Sequence, residues 1–156
     1  MLRELRIRNL AVIEEATVPF APGLNVLTGE TGAGKSILID AILLLLGGRA
    51  QPELIRTGAE SARIEALFDV DPGGLVSPLL DEAGISLDDG QLILRRELSR
   101  SGRSRAFVND SPATLGLLER LGAHLVELHG QHEHQLLLQA GRQLDLLDRY
   151  ADAMAA

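Results

Sequence analysis

Alternation of apolar and polar positions marks strands from the first residues of the chain. In "ELRIRNL", Leu5 and Ile7 fall on one side and Arg6 and Arg8 on the other, the period of a half-buried strand. "EEATVPF" repeats the pattern, with Ala16, Val18 and Phe20 set against Glu15 and Thr17, and "APG" (Ala21 to Gly23) supplies turn chemistry. "LNVLTG", Leu24 to Gly29, is short and apolar, which predicts a buried strand. From Ser36 to Leu46 the residues are apolar nearly all round, predicting a helix sheathed on most sides, with Gly47 and Gly48 ending it.

Alternation returns in "SARIEALFDV", where Ala62, Ile64, Ala66, Phe68 and Val70 oppose Arg63, Glu65 and Asp69, a strand with one wet face. A short helix is expected around Leu75 to Ala83. "QLILRREL" and "SRAFVND" read as two strands joined by the hairpin punctuation "SRSG". Ser111 before Pro112 reads as a helix start, a hydroxyl cap followed by proline at the first helical position, with the helix running to about Gly122. "AHLVELHG" reads as a further strand, and "QLLLQAGRQLDLLDRYA" as one or two helices.

The 156 residues suffice for one domain, and 46% hydrophobic residues is ordinary for a globular chain. Cysteine is absent, which excludes disulfides and thiolate metal sites and fits a reducing compartment. "MLRELRIRNL" lacks the apolar core of a signal peptide, and the longest apolar run, Ile37 to Leu46, is interrupted by Asp40 and too short to span a membrane, so a cytoplasmic protein without a membrane partner is expected. A net charge of −7 argues against a surface that is basic throughout, as a general nucleic-acid glove would be. Five arginines do crowd into "RRELSRSGRSR" (Arg95, Arg96, Arg100, Arg103 and Arg105), and the simplest reading is a solvated hairpin.

The chemistry is concentrated in one stretch. Gly29-Glu30-Thr31-Gly32-Ala33-Gly34-Lys35-Ser36 satisfies G-x-x-x-x-G-K-[ST] at every fixed position. The glycines let the backbone curl so that successive N–H groups face phosphate oxygens, and a helix beginning at Lys35 adds the positive end of its dipole. Lys35 is expected to reach the β- and γ-phosphates of ATP and the Ser36 hydroxyl to ligate Mg²⁺, with Gly29 to Ile37 as the nucleotide-binding residues. An apolar strand directly before and an apolar helix directly after give the motif its expected context.

Hydrolysis needs more than this loop. A carboxylate at the end of another buried strand must help hold the metal, and a further group must orient the attacking water. No hydrophobic strand ending in Asp-Glu follows residue 36. The nearest candidate, "FDVD" at Phe68 to Asp71, alternates like an amphipathic edge strand. The catalytic half of such a machine is not in this sequence.

"LRIRNLAVIEEATVPFAPGLNVLTGETGAGKSILIDAILLLLGGRA", "IRTGAESARIEALFDV", "GRSRAFVNDSPATLGLLERLG" and "VELHGQHEHQLLL" together resemble the N-terminal head segment of RecN, a family of bacterial DNA-repair ATPases related to SMC proteins. The likeness spans essentially the whole chain. It implies an α/β fold, the N-terminal lobe of a P-loop ABC-type ATPase head, with a mixed β-sheet around the phosphate-loop helix and an antiparallel β portion, and it makes residues 1–156 the N-terminal half of that head. In such a family a long coiled coil follows and returns with the second half, which carries the signature motif, the Walker B carboxylates and a switch histidine. The implied partners are that C-terminal half, a second head joined in an ATP-dependent dimer, and DNA; the implied setting is the nucleoid.

The resemblance also assigns Gln131, in "HGQHEHQ", to the Q-loop, where a glutamine amide oxygen completes the Mg²⁺ shell and helps position water. Gln135 is the alternative, and a polar loop capping the next helix is a third reading. His129, His132 and His134 fall within six residues, but that spacing does not match known metal-ligand patterns, and hydrogen bonding around the loop is the expected use. SMC relatives often place a basic residue where this chain has Ala11, which removes one expected phosphate contact and leaves Arg8 and Asn9 as nearby contributors. Arg49 and Arg56 are candidates for DNA or dimer contacts by position, with ordinary salt bridges as the other reading.

Three other readings stand beside this one. A RecF-like or other SMC-like head shares the loop, but "HGQHEHQ" and "LGGRA" favour RecN. A GTPase would need an Asn-Lys-x-Asp motif and a small kinase a lid of phosphate-contacting arginines; the first is absent. A nucleotide-binding module without catalysis describes the chain taken by itself.

Overall fold

In the computed structural model, residues 1–29, 33–87 and 89–128 are described, of Ala33 only the backbone. Two units are distinguished, Met1–Val126 and Glu127–Ala156. Of the second, only Glu127 and Leu128 are among the described residues, so the architecture below is that of the first.

Six strands form one sheet in the order β2-β1-β3-β4-β5-β6. They are β1 (Leu2–Leu10), β2 (Ile13–Pro19), β3 (Ser61–Asp69), β4 (Gln91–Ser99), β5 (Ser104–Val108) and β6 (Ser111–Ala113), and every neighbouring pair is antiparallel. The period-2 alternation sets the register. Leu5 and Ile7 of β1 stand opposite Ala66 and Ile64 of β3, so the buried sets coincide on one face. On the other face charges alternate in sign: Arg6 pairs with Glu4 and Glu65, Arg8 with Glu15, and Arg63 with Glu97.

Helix α1 (Ala33–Leu45) packs on the apolar face against β1, β3 and β4. Its buried side is Ile37, Ala41, Leu44 and Leu45, at the i, i+4, i+7, i+8 spacing of one helical stripe. The other positions from Ile37 to Leu46 are buried or partly buried, and the expected sheathing fails only at Ile39, which is 43% exposed. The helix also begins at Ala33, two residues before the expected start. It ends in a Schellman motif, with Gly47 at φ 99°, its N–H on the Leu44 carbonyl at 3.3 Å, and the Gly48 N–H on the Leu43 carbonyl at 2.9 Å. A short 3-10 turn (Pro52–Leu54) and α2 (Ser77–Glu82) complete the first part of the chain, α2 being shorter at both ends than expected.

Four other expectations are corrected. Ser111 and Pro112 do not start a helix; Ser111–Ala113 pairs with β5 as the sheet's last strand, where proline's missing N–H is tolerated at an edge. Helix α3 (Leu115–Leu125) starts one turn later, with Thr114 Oγ1 accepting the Leu117 N–H at 3.2 Å. It runs past Gly122, so Ala123 to Leu125 of the expected strand are helical, and Val126 to Leu128 form no strand. Gly122 faces α1, where an added Cβ would stand 3.0 Å from the Leu46 Cβ.

The third correction is β3, which lies inside the sheet between β1 and β4 rather than at an edge. Its alternation records one wet face, not an open side. The fourth is Leu24–Gly29, which forms no strand. Leu24 is 90% exposed and Val26 71%, an apolar segment with no neighbouring strand among the described residues. The helices expected beyond residue 134 lie outside the described residues.

Candidate nucleotide-binding site

The phosphate loop joins the Leu24–Gly29 segment to the N-terminus of α1. Of the motif, Gly29 and Ala33 to Ser36 are described, while Glu30, Thr31 and Gly32 lie outside the described residues. Because the helix starts at Ala33, the N–H groups of residues 33–36 are the four that have no intrahelical acceptor, and no acidic residue occupies the first turn to compete for them. They form the positive end of a helix dipole.

Gly29 and Gly34 both face open space. A Cβ added at either would meet nothing within 4 Å, so internal packing does not demand glycine at these two positions. The opposite holds at Gly48, where a Cβ would stand 2.7 Å from the Leu43 carbonyl oxygen. Gly34, in the first helical turn, leaves open space beside its N–H groups, room that an anion cradle needs.

Lys35, the one lysine of the chain, directs its Nζ to the Gly29 carbonyl at 2.5 Å. The cation thus bridges the two ends of the loop. Ser36 is exposed and Ile37 is buried at 8% exposure, so Ile37 fixes the helix and could meet a ligand only through its backbone.

The other sequence candidates separate clearly. Arg8 stands on the wet face, opposite the face that carries α1, and pairs with Glu15 at 2.7 Å, so its expected contribution to the nucleotide pocket is corrected. Asn9 and Ala11 have φ of 55° and 49°, a left-handed turn between β1 and β2 held by the Arg56 N–H on the Asn9 carbonyl and the Ala11 N–H on the Leu54 carbonyl. Arg56 is engaged internally, donating to the Val12 carbonyl at 3.1 Å and approaching Glu14 at 3.4 Å. Arg49 is exposed. Gln131, Gln135, His129, His132 and His134 all lie outside the described residues, and no cluster of three or more potential metal ligands occurs among the described ones.

The arginine hairpin is not one solvated patch. Arg96 is 1% exposed and Arg95 lies over the Phe107 ring at 4.4 Å. Arg100 donates to the carbonyls of Ala59 and Arg56, at 2.5 and 2.9 Å. Only Arg103 and Arg105 are exposed with no ion pair or side-chain hydrogen bond among the described residues. The sequence signal for Arg96 was its register: it shares a face with Leu92, Leu94 and Leu98.

No helix among the described residues is long and apolar enough to cross a membrane. Residues 4–111 match the family model described as AAA domain. The DNA repair protein RecN of Halalkalibacterium halodurans is 50% identical over 97% of this chain, and RecN of Bacillus subtilis 48% over 98%; the chain spans 27% of the length of each. Among solved structures, one from work on ATP-driven dimerization and DNA-stimulated activation of SMC ATPases superposes with a TM-score of 0.68 at 21% identity, covering 94% of this chain and 97% of that one, which establishes a shared fold. With residues 4–111 matching its model, this protein belongs to the AAA-domain family, with the RecN proteins among its relatives.

Proposed function

We propose that this chain is the ATP-binding N-terminal lobe of a RecN-like head acting in double-strand-break repair and recombination, in which ATP joins two heads and DNA engages the assembly. The observation that carries this reading is the N-terminus of α1 at Ala33, with open space at Gly34 beside its first N–H groups. Support comes from the RecN relatives, named as DNA repair proteins, and from the SMC ATPase whose fold it shares.

The N–H groups of residues 33–36 would donate to phosphate oxygens, and Lys35 would leave the Gly29 carbonyl to reach the β- and γ-phosphates. Ser36, with Gln131 from the Q-loop, would hold the metal. Mg²⁺ neutralises charge developing on the phosphate oxygens when bound. Catalysis would require the carboxylates of the C-terminal half, and the exposed apolar segment Leu24–Gly29 supports such a partner, since strands of that half would pair with it and cover Leu24 and Val26. The whole chain, residues 1–156, would then be one half of a head domain working in the cytoplasm on the nucleoid.

The test is ATP titration and turnover with this chain alone, with the C-terminal half added, and with the intact protein. ATP binding by this chain, with turnover appearing once the other half is added, supports the reading. Full turnover by this chain alone would sink it.

A further inference from the structure

Arg96 is the one buried charged side chain among the described residues. It comes from β4 yet serves the far end of α1. One guanidinium nitrogen, Nη1, donates to both the Leu44 and the Gly48 carbonyls, while Nε donates to Ser104 Oγ at 3.0 Å. The last turn of α1 has no basic residue of its own, so the cation facing the negative end of the helix dipole is supplied by the sheet.

Helix termination alone does not call for this residue. The Schellman motif already gives the Leu44 carbonyl one donor, the Gly47 N–H, and Arg96 takes a second site on the same oxygen. An apolar side chain would continue the row of Leu92, Leu94 and Leu98 without a desolvation cost. Burial pulls the Arg96 pKa below the usual guanidinium range, with the Glu119 carboxylate opposing the shift. What the guanidinium adds is direction. The apolar contacts of Ile37, Ala41, Leu44 and Leu45 are non-directional and tolerate sliding, whereas a rigid planar fork fixed to Leu44, Gly48 and Ser104 does not.

We propose that Arg96 is a positioning residue for the nucleotide site: by pinning the C-terminal turn of α1 to the β4–β5 hairpin, it sets the axial position and rotation of the helix that presents Lys35 and Ser36. Leu44 lies nine positions after Lys35, about 14 Å along the helix, so a shift at one end is carried as a rigid displacement to the other. Displacements of about 1 Å at a reacting centre change rates by about a hundredfold. Helix α3 closes the same turn from outside, with Gly122 against Leu46 and Glu119 over Gly47.

This rests on the ATP-binding reading above, and the experiment separates the two. In the full-length protein, ATP affinity, KM, kcat and melting temperature are measured for Arg96→Met, Arg96→Lys and Lys35→Ala. Arg96→Met is expected to melt within a few degrees of wild type, since buried ions are often replaced by apolar residues without loss, yet to weaken ATP binding at least about tenfold. Arg96→Lys should fall between, because one ammonium cannot reproduce the fork. Wild-type affinity and kcat in a folded Arg96→Met protein overturn the inference and leave the ATP site intact. If Arg96→Met does not fold, Arg96→Lys decides by the same criterion, and failure of both to fold overturns a positioning role in favour of a structural one. Unchanged affinity in Lys35→Ala overturns the ATP-binding reading itself and this inference with it.

Discussion

Lys35 Nζ donates to the carbonyl of Gly29 at 2.5 Å, so the side chain that ends the phosphate loop closes on the residue that begins it. The interaction is local and leaves the core untouched. Lys35→Ala is therefore expected to remove ATP binding with little change in melting temperature, measured by nucleotide titration and calorimetry. As the only lysine of this chain, Lys35 also offers a readout by peptide mass: ATP should protect it, and not the Met1 amino group, from an amine-reactive label, and labelling of Lys35 indifferent to ATP would count against the site.

Turnover should be negligible for this chain alone. It carries the loop and Gln131, but among the described residues no strand ends in an Asp-Glu pair, and Asp69 at the end of β3 is drawn to Arg3 at 3.3 Å on the wet face. Adding the C-terminal half in trans should raise phosphate release toward the rate of the intact protein; no gain on addition would contradict the proposed division of the head.

Arg103 and Arg105 are the two hairpin arginines free to meet a phosphate backbone. If both do so, Arg103→Gln with Arg105→Gln should flatten the slope of log affinity against log salt by about 1.8 on duplex DNA, at about 0.9 per contact. The readout is DNA binding by the ATP-bound full-length protein across a salt series. An unchanged slope returns both residues to solvated surface. Arg100 does not belong in this test, because its guanidinium already serves the carbonyls of Arg56 and Ala59.

Gly48→Ala should destabilise the chain by about 1–3 kcal/mol, read from chemical denaturation of the full-length protein. The added Cβ would stand 2.7 Å from the Leu43 carbonyl oxygen, a backbone atom that can move only if the helix end opens. Gly34→Ala, by contrast, meets nothing within 4 Å and should leave stability nearly unchanged while it narrows the nucleotide cradle. Equal destabilisation by the two substitutions would refute the distinction between packing glycines and ligand glycines.

Where alternation ran through a strand, the sequence was a dependable guide: Leu5, Ile7, Ile64, Ala66 and Phe68 are all buried, as their period required. The same rule already contained Arg96, since period 2 puts it among leucines, but charge composition pointed to solvent and register was the better guide. Leu24 to Gly29 misled for another reason. Apolar content says that a segment is to be buried, not that its neighbours lie nearby in sequence. Ser111 with Pro112 shows local chemistry shared by two outcomes, a helix start and an edge strand, which pairing with β5 decided. The phosphate loop was legible at once because its chemistry is carried by contiguous residues. Gln131 belongs to a stretch outside the described residues, and its role stays a proposal.

The uncovered apolar segment has a consequence for the order of synthesis. This chain corresponds to about a quarter of its RecN relatives, matching 27% of their length. On the proposed arrangement, the strands that would cover Leu24 and Val26 belong to the end of the polypeptide made last. At about 5–20 residues per second, ribosomes would need on the order of tens of seconds to reach them. For that interval the nascent lobe would carry a sticky ribbon, which makes it a natural client for chaperones that bind short extended apolar stretches.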